Sequence, residues 1–335
     1  MRYRWIVYFF IGFFCLQSLG VHQAFSDSSS LIENQKVSAF SLSGEPKRQR
    51  SIFWPAFTSL LIPGFDQFWE GQYGYAAAYL GARLAGNGMA IYSSHQILST
   101  VSKAQMNPNL FRDHPGEFDN FKRAGQLGDY GNTLALAAGG MSAYHSFRTA
   151  VQTRDDFSFL KHHETPLELM TAPFHFSYLS RPTTYLGIPA NILMGVLLAQ
   201  LQGHSLNVKA GLPDPLDVAF SGGISFNAGV GEEALFRGWL MPVAMRYTNS
   251  EFSSNLLSSL VFGALHYKPG YIPLSQTLAG FYFGYLTQKN DWQLGESIFN
   301  HVWYDTIIFL VSYASANEIQ RANATFYLTP ITIQF

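Results

Sequence analysis

Between Gly229 and Pro242 the chain reads GVGEEALFRGWLMP, and three ionisable residues interrupt this otherwise apolar stretch: Glu232, Glu233 and Arg237. Glu233 and Arg237 stand four apart, so on a helix they share a face and can pair along it. Glu232 is rotated by about 100° and is left for another partner. Two later apolar stretches carry ionisable groups at the same spacing. SSLVFGALHY places Phe262 and His266 one turn apart, and SIFNHVWYD does so for His301 and Asp305. Each has a bland reading: a lone histidine on an apolar helix is more often a satisfied core residue, and a Glu–Arg pair can be a buried ion network that only fixes packing. Three apolar helices that each bring such groups favour a site, because convergence lets each group satisfy the others. Ionisable residues inside a membrane are expensive and mark function. A carboxylate beside imidazoles is the composition expected for general-base chemistry on water.

The elements that must position these groups are apolar. Of the 335 residues, 47% are hydrophobic and only 13% charged, well below the roughly 25% charge of an ordinary soluble domain, so the partner expected is a lipid bilayer. A formal net charge of −1 provides no basic stripe, which argues against nucleic acid. Cys15 is the sole cysteine; no intrachain disulfide or cysteine-based zinc site can form. Phe13 and Phe14 before it are not the small residues that precede a lipoprotein cysteine.

Residues 1–26 read as a signal peptide or signal anchor: two arginines, a long apolar run, then Ala24 and Ser26 spaced like a cleavage site. Residues 27–50 form a polar linker. Over 51–180 we expect an N-terminal helical membrane region, with helices near 52–64, 73–98, 130–151 and 166–179 and a water-facing polar loop near 100–129. Residues 181–317 form the core, with helices near 183–202, 215–229, 231–247, 252–267, 273–288 and 296–315. Thr183 to Gln202 carries no formal charge and, at about 1.5 Å per residue, spans a hydrocarbon core of about 30 Å. Residues 318–335 are a tail whose alternating TFYLTPITIQF is one strand, too little for a barrel. The expected fold class is all-α, a polytopic integral membrane helical bundle with a buried Glu/His site, set in a bacterial inner membrane.

Other protease designs fail on this chain. HETPL from His163 lacks the second histidine of H-E-x-x-H, GISFN lacks the second glycine of G-x-S-x-G, and QLGD lacks the first glycine of the intramembrane aspartyl pattern. The Glu/His constellation resembles the CPBP family of intramembrane endopeptidases (CAAX protease and bacteriocin-processing). EEALFR matches its first motif, FGALH its second and HVWYD its third, in the family's order, with FRG and GFYFGYL (Gly280, Gly284) as softer features.

That resemblance implies that Glu232 activates the attacking water with support from Glu233 and Arg237, that His266 holds or polarises the water, and that His301 and Asp305 stabilise the oxyanion. The family has been described both as metalloproteases and as glutamate-dependent enzymes. One glutamate with two histidines would suit zinc, held by Glu232, His266, His301 or Asp305; the metal-free scheme is the one we favour. The implied partner is a peptide or membrane-protein substrate. Readings of other classes are a non-catalytic scaffold or immunity protein and a proton-coupled transporter. Pro63 to Leu84 resembles a Pro-Gly-x-x-Gln hairpin element of small bacterial membrane proteins, for which a packing role is expected.

Overall fold

The computed structural model describes residues 50–107, 109–152, 154–202, 213–267 and 272–322, and among these the regular structure is helical, with no strand. The expected signal peptide or anchor with Cys15, the linker up to residue 49 and the tail from 323 lie outside the described residues.

Helices α1 (Trp54–Leu61) and α2 (Phe65–Trp69) are joined at Gly64, whose φ of 89° is the left-handed conformation that glycine adopts without strain. The Gly64 N–H donates to Ser142 Oγ (2.8 Å), and Gln67 Nε2 donates to Ser142 O (3.1 Å) and Ser146 Oγ (3.0 Å). The glycine and glutamine of the Pro-Gly-x-x-Gln element thus tie α1 and α2 to a later helix.

That later helix is half of a long hairpin. α3 (Tyr73–Met106) and α5 (Pro115–Val151) are connected through the single turn α4 (Leu110–Asp113). Their register is antiparallel: Gly86 meets Gly131, Ser93 Oγ donates to Ala124 O (2.6 Å), and Lys103 pairs with Glu117 (3.1 Å). The segment 100–129, expected as a loop, is mostly helical. Lys103, Arg112, Asp113 and Asp119 are exposed as expected, whereas Lys122 is buried and Arg123 half-buried: Lys122 Nζ and Arg123 Nη1 each lie 2.9 Å from Asp217 Oδ1, and Gln126 Nε2 donates to the same oxygen. Asp217 belongs to the first turn of the helix that carries Glu232.

Beyond α5 the expected helix at 166–179 is short. α6 (Pro166–Thr171) starts with a Thr165/Glu168 capping box and yields to two 3-10 turns, Ala172–Phe174 and Phe176–Ser180, where Pro173 removes an amide donor. α7 (Pro182–Tyr185) leads into α8 (Gly187–Leu201). α9 (Pro215–Leu235) is capped by Asp214, whose side chain accepts from the Asp217 N–H. It passes through a π turn, Phe236–Leu240, into α10 (Met241–Thr248). Three helices follow: α11 (Glu251–Leu265), α12 (Leu274–Lys289) and α13 (Gly295–Ala322).

The break expected near residue 230 does not occur, because the glycines there serve contact rather than termination. α9 is sandwiched between α5 and α13. A Cβ on Gly231 would overlap the backbone of Ala137 in α5, and one on Gly229 would stand 3.0 Å from the Val302 amide nitrogen of α13. Gly231→Ala must therefore push α5 off α9 beside Glu232, and a loss of about 1–3 kcal/mol is expected from overpacking of this kind. Denaturation of the purified variant checks it; a midpoint equal to wild type would show that the helices are not in contact there.

Among the described residues one helical stretch, Pro182–Leu201, is long and apolar enough to cross a membrane, with a mean hydropathy of 1.5. α11 and α12, at 15 and 16 residues, are shorter than the roughly 20 residues that a span needs.

Candidate active site

Glu232 and Glu233 end α9, Arg237 sits in the π turn, His266 is the residue after α11, and His301 and Asp305 lie on one face of α13. A π turn adds one residue to the helical repeat and recurs at functional sites. Here it places Arg237 against Glu233 while its other arm reaches α12. Arg237 Nη1 donates to Glu233 Oε1 (3.0 Å), and Nη2 donates to the Gly280 carbonyl (2.6 Å). Both side chains are fully buried. The guanidinium also lies 4.6 Å from the Phe262 ring centroid, a favourable cation–π position.

Gly280 is required for this approach: a Cβ there would stand 2.7 Å from Arg237 Nη2 and 2.9 Å from Phe262 Cδ1. Glu233 Oε2 and Arg237 Nε are buried without a hydrogen-bond partner among the described residues.

His301 ties this pair to α13. Its Nδ1 lies 2.9 Å from Glu233 Oε1, the oxygen that already accepts from Arg237, so Nδ1 is the donor. Nε2 is thereby directed at the two remaining carboxyls, Glu232 Oε2 at 3.8 Å and Asp305 Oδ2 at 3.4 Å. Phe283 stacks on the imidazole at 4.7 Å with 19° between planes and fixes its orientation. His266 has the opposite arrangement of roles. Its Nδ1 is 2.8 Å from the Phe262 carbonyl, which only accepts, so Nδ1 carries the proton and Nε2 is a free acceptor.

Glu232, His266, His301 and Asp305 line one cavity of about 230 Å³. Apolar side chains from four helices line the rest of it, among them Ile224, Phe262, Phe283 and Phe309. Glu233 and Arg237 do not line it; they stand behind His301 and hold it. The six residues singled out by type and spacing thus divide into four that face the cavity and two that position one of the four.

Sequence reasoning missed Thr133, Gln276 and Tyr304 on the cavity wall, as well as the roles of Phe283 and the Gly280 carbonyl. GFYFGYL held a signal for the last two, since Gly280 and Gly284 flank Phe283 at helical spacing. For Thr133, on the hairpin helix α5 nearly a hundred residues before Glu232, there was none.

Zinc in a catalytic site takes three protein ligands. Among the described residues no group of three His, Cys, Asp or Glu side chains is arranged to hold a metal ion.

No curated protein and no solved structure is significantly similar to the chain. Residues 214–307, a stretch that contains every residue from Glu232 to Asp305 named above, match the family model described as type II CAAX prenyl endopeptidase Rce1-like, in agreement with the CAAX protease family that the three motifs resemble.

Proposed function

We propose that the chain is an intramembrane endopeptidase of the glutamate type, which hydrolyses a peptide bond in a membrane-associated protein or peptide. The observation that carries this reading is the convergence of Glu232, His266, His301 and Asp305 on one largely apolar cavity. The family match supports the reaction class.

Glu232 takes a proton from a water held at the acceptor Nε2 of His266, and the oxygen attacks the scissile carbonyl. His301, as the imidazolium, donates at both nitrogens: Nδ1 to Glu233, and Nε2 to the oxygen on which charge develops. Fixed donors aimed at that position are the largest common source of rate enhancement in acyl transfer. Collapse of the tetrahedral intermediate breaks the C–N bond, and the proton on Glu232 passes to the leaving amine. The Glu233–Arg237 pair keeps His301 oriented throughout.

The compartment we propose is the inner membrane of a bacterium. A bilayer setting is supported by Pro182–Leu201 and by exposed apolar side chains on several helices. These include Leu84 and Ile91 on α3, Leu193 and Leu197 on α8, and Leu257 and Leu260 on α11. Apolar surface on that scale marks contact with lipid or protein.

Asp305 gives a test of the oxyanion role. A carboxylate donates a hydrogen bond only when protonated, whereas an amide always can. Asp305→Asn is therefore expected to keep or raise activity near neutral pH. Asp305→Ala should lose about 10²- to 10³-fold, the usual cost of an oxyanion donor. Severe loss in the asparagine variant would show that the charge of Asp305 is needed. The reading as a whole is tested by mass spectrometry of membranes with and without the chain. New protein termini that appear only with the wild type support it, and identical termini in the two membranes contradict it.

A further inference from the structure

His163-Glu164-Thr165 failed as a zinc motif, yet Glu164 is placed where it bears on the site. Segment 159–164 follows the turn between α12 and α13 in register. Phe159 packs on Trp292 with centroids 4.8 Å apart, Lys161 Nζ lies 3.2 Å from Asp291 Oδ1, and Glu164 Oε2 accepts the Leu294 N–H at 2.8 Å and also faces that of Gly295. The turn it follows contains two successive non-glycine residues in the left-handed region, Asp291 (φ 53°) and Trp292 (φ 64°), a conformation that costs free energy unless its surroundings hold it.

Leu294 precedes α13 and has no side-chain oxygen with which to cap it, so Glu164 supplies the acceptor for the free N–H groups that every helix start exposes. The segment is in turn fixed to α5: Tyr144 OH donates to the Glu164 carbonyl at 2.8 Å, and Arg148 Nη2 donates to the His162 carbonyl. The Tyr144 ring also packs on Gly238 of the π turn, where a Cβ would overlap it. One tyrosine therefore touches both the turn that carries Arg237 and the residue that caps the helix carrying His301. His301 lies six residues after Gly295, about 9 Å along the axis.

From this geometry we infer that Glu164 is a positioning residue: by capping α13 from a segment outside the family match, it sets where His301 stands relative to Glu232. Its kinetic consequence rests on the hydrolytic reading above; the clamp itself does not. Burial pushes the Glu164 carboxyl up to about 7, with Arg148 of α5 opposing the shift and Glu168 of α6 adding to it; Tyr144 and Tyr178 also face it.

Two variants test the inference. Glu164→Ala removes the acceptor, and Glu164→Gln keeps it without the charge. Hydrogen exchange of the segment from Leu294 to His301 is expected to be roughly 5- to 30-fold faster in the alanine variant, the range for a lost cap, and near wild type in the glutamine variant. Cleavage should show a lower kcat with KM little changed in the alanine variant, restored by glutamine. Relative to Glu164→Gln, the wild type should lose stability as pH rises from 4.5 to about 7, because in that interval the carboxyl ionises in the unfolded chain while the buried one still holds its proton. Unchanged exchange in Glu164→Ala would overturn the clamp, and a stability difference independent of pH would show that the carboxyl is not buried as described. Faster exchange with an unaltered kcat would overturn the positioning role. Should wild type and Glu232→Gln cleave alike, the hydrolytic reading falls while the exchange arm still decides the clamp.

Discussion

Replacing Glu232 with glutamine is expected to lower kcat by at least about 10²- to 10⁴-fold, the contribution typical of a general base, while the protein stays folded and inserted. The structure explains why the two effects separate. Glu232 faces the cavity and its nearest charged neighbour is His301 Nε2 at 3.8 Å, beyond hydrogen-bond distance. It therefore contributes little that an amide of the same shape cannot replace. Glu233, one residue on, bonds both Arg237 and His301. Cleavage by Glu232→Gln at the wild-type rate would remove Glu232 from the role of base.

Arg237→Ala is expected to fail differently, by losing the fold. The mutation removes the guanidinium from the fully buried Glu233 carboxylate and leaves it only the His301 Nδ1–H; breaking a buried pair in this way costs about 3–5 kcal/mol. It also frees the Gly280 carbonyl and takes the guanidinium from the Phe262 face. Because Glu233 Oε2 and Arg237 Nε have no partner among the described residues, these offer no further hydrogen bonds to offset the loss. Replacing both residues by apolar side chains of similar volume should restore much of the stability and none of the activity, since His301 would then lack its anchor. The check is thermal melting in detergent or lipid alongside expression level. A wild-type melt in Arg237→Ala would show that the buried pair is not there.

The core of this site could be read early because its logic is local. Glu233 and Arg237 pair at the i, i+4 spacing visible in EEALFR, and His301 and Asp305 lie on one face of α13 for the same reason. The π turn, Phe236–Leu240, could not be read from the sequence, yet it begins after Glu233 and the pair still forms at its i, i+4 spacing. What could not be read is what depends on contacts between distant segments. Lys122 and Arg123 looked like part of a solvated loop because the acids they pair with, Asp214 and Asp217, lie some ninety residues later. The continuity of α9 through residue 230 could not be read because the close approach of Ala137 and Val302 to Gly231 and Gly229 is not written in their neighbours. The same holds for Thr133 on the cavity wall and for Glu164 at the start of α13.

Hydrolysis of a peptide substrate in water enriched in the heavy oxygen isotope, with enzyme in excess so that each molecule turns over once, tests the role of Glu232 most directly. If the carboxylate of Glu232 activates water, the first turnover places one heavy oxygen in the new C-terminal carboxyl of the product and none in the protein. Should the product form with ordinary oxygen while the label appears in the Glu232 carboxyl, that residue attacks the substrate itself, and the account of a water held between Glu232 and His266 would be contradicted.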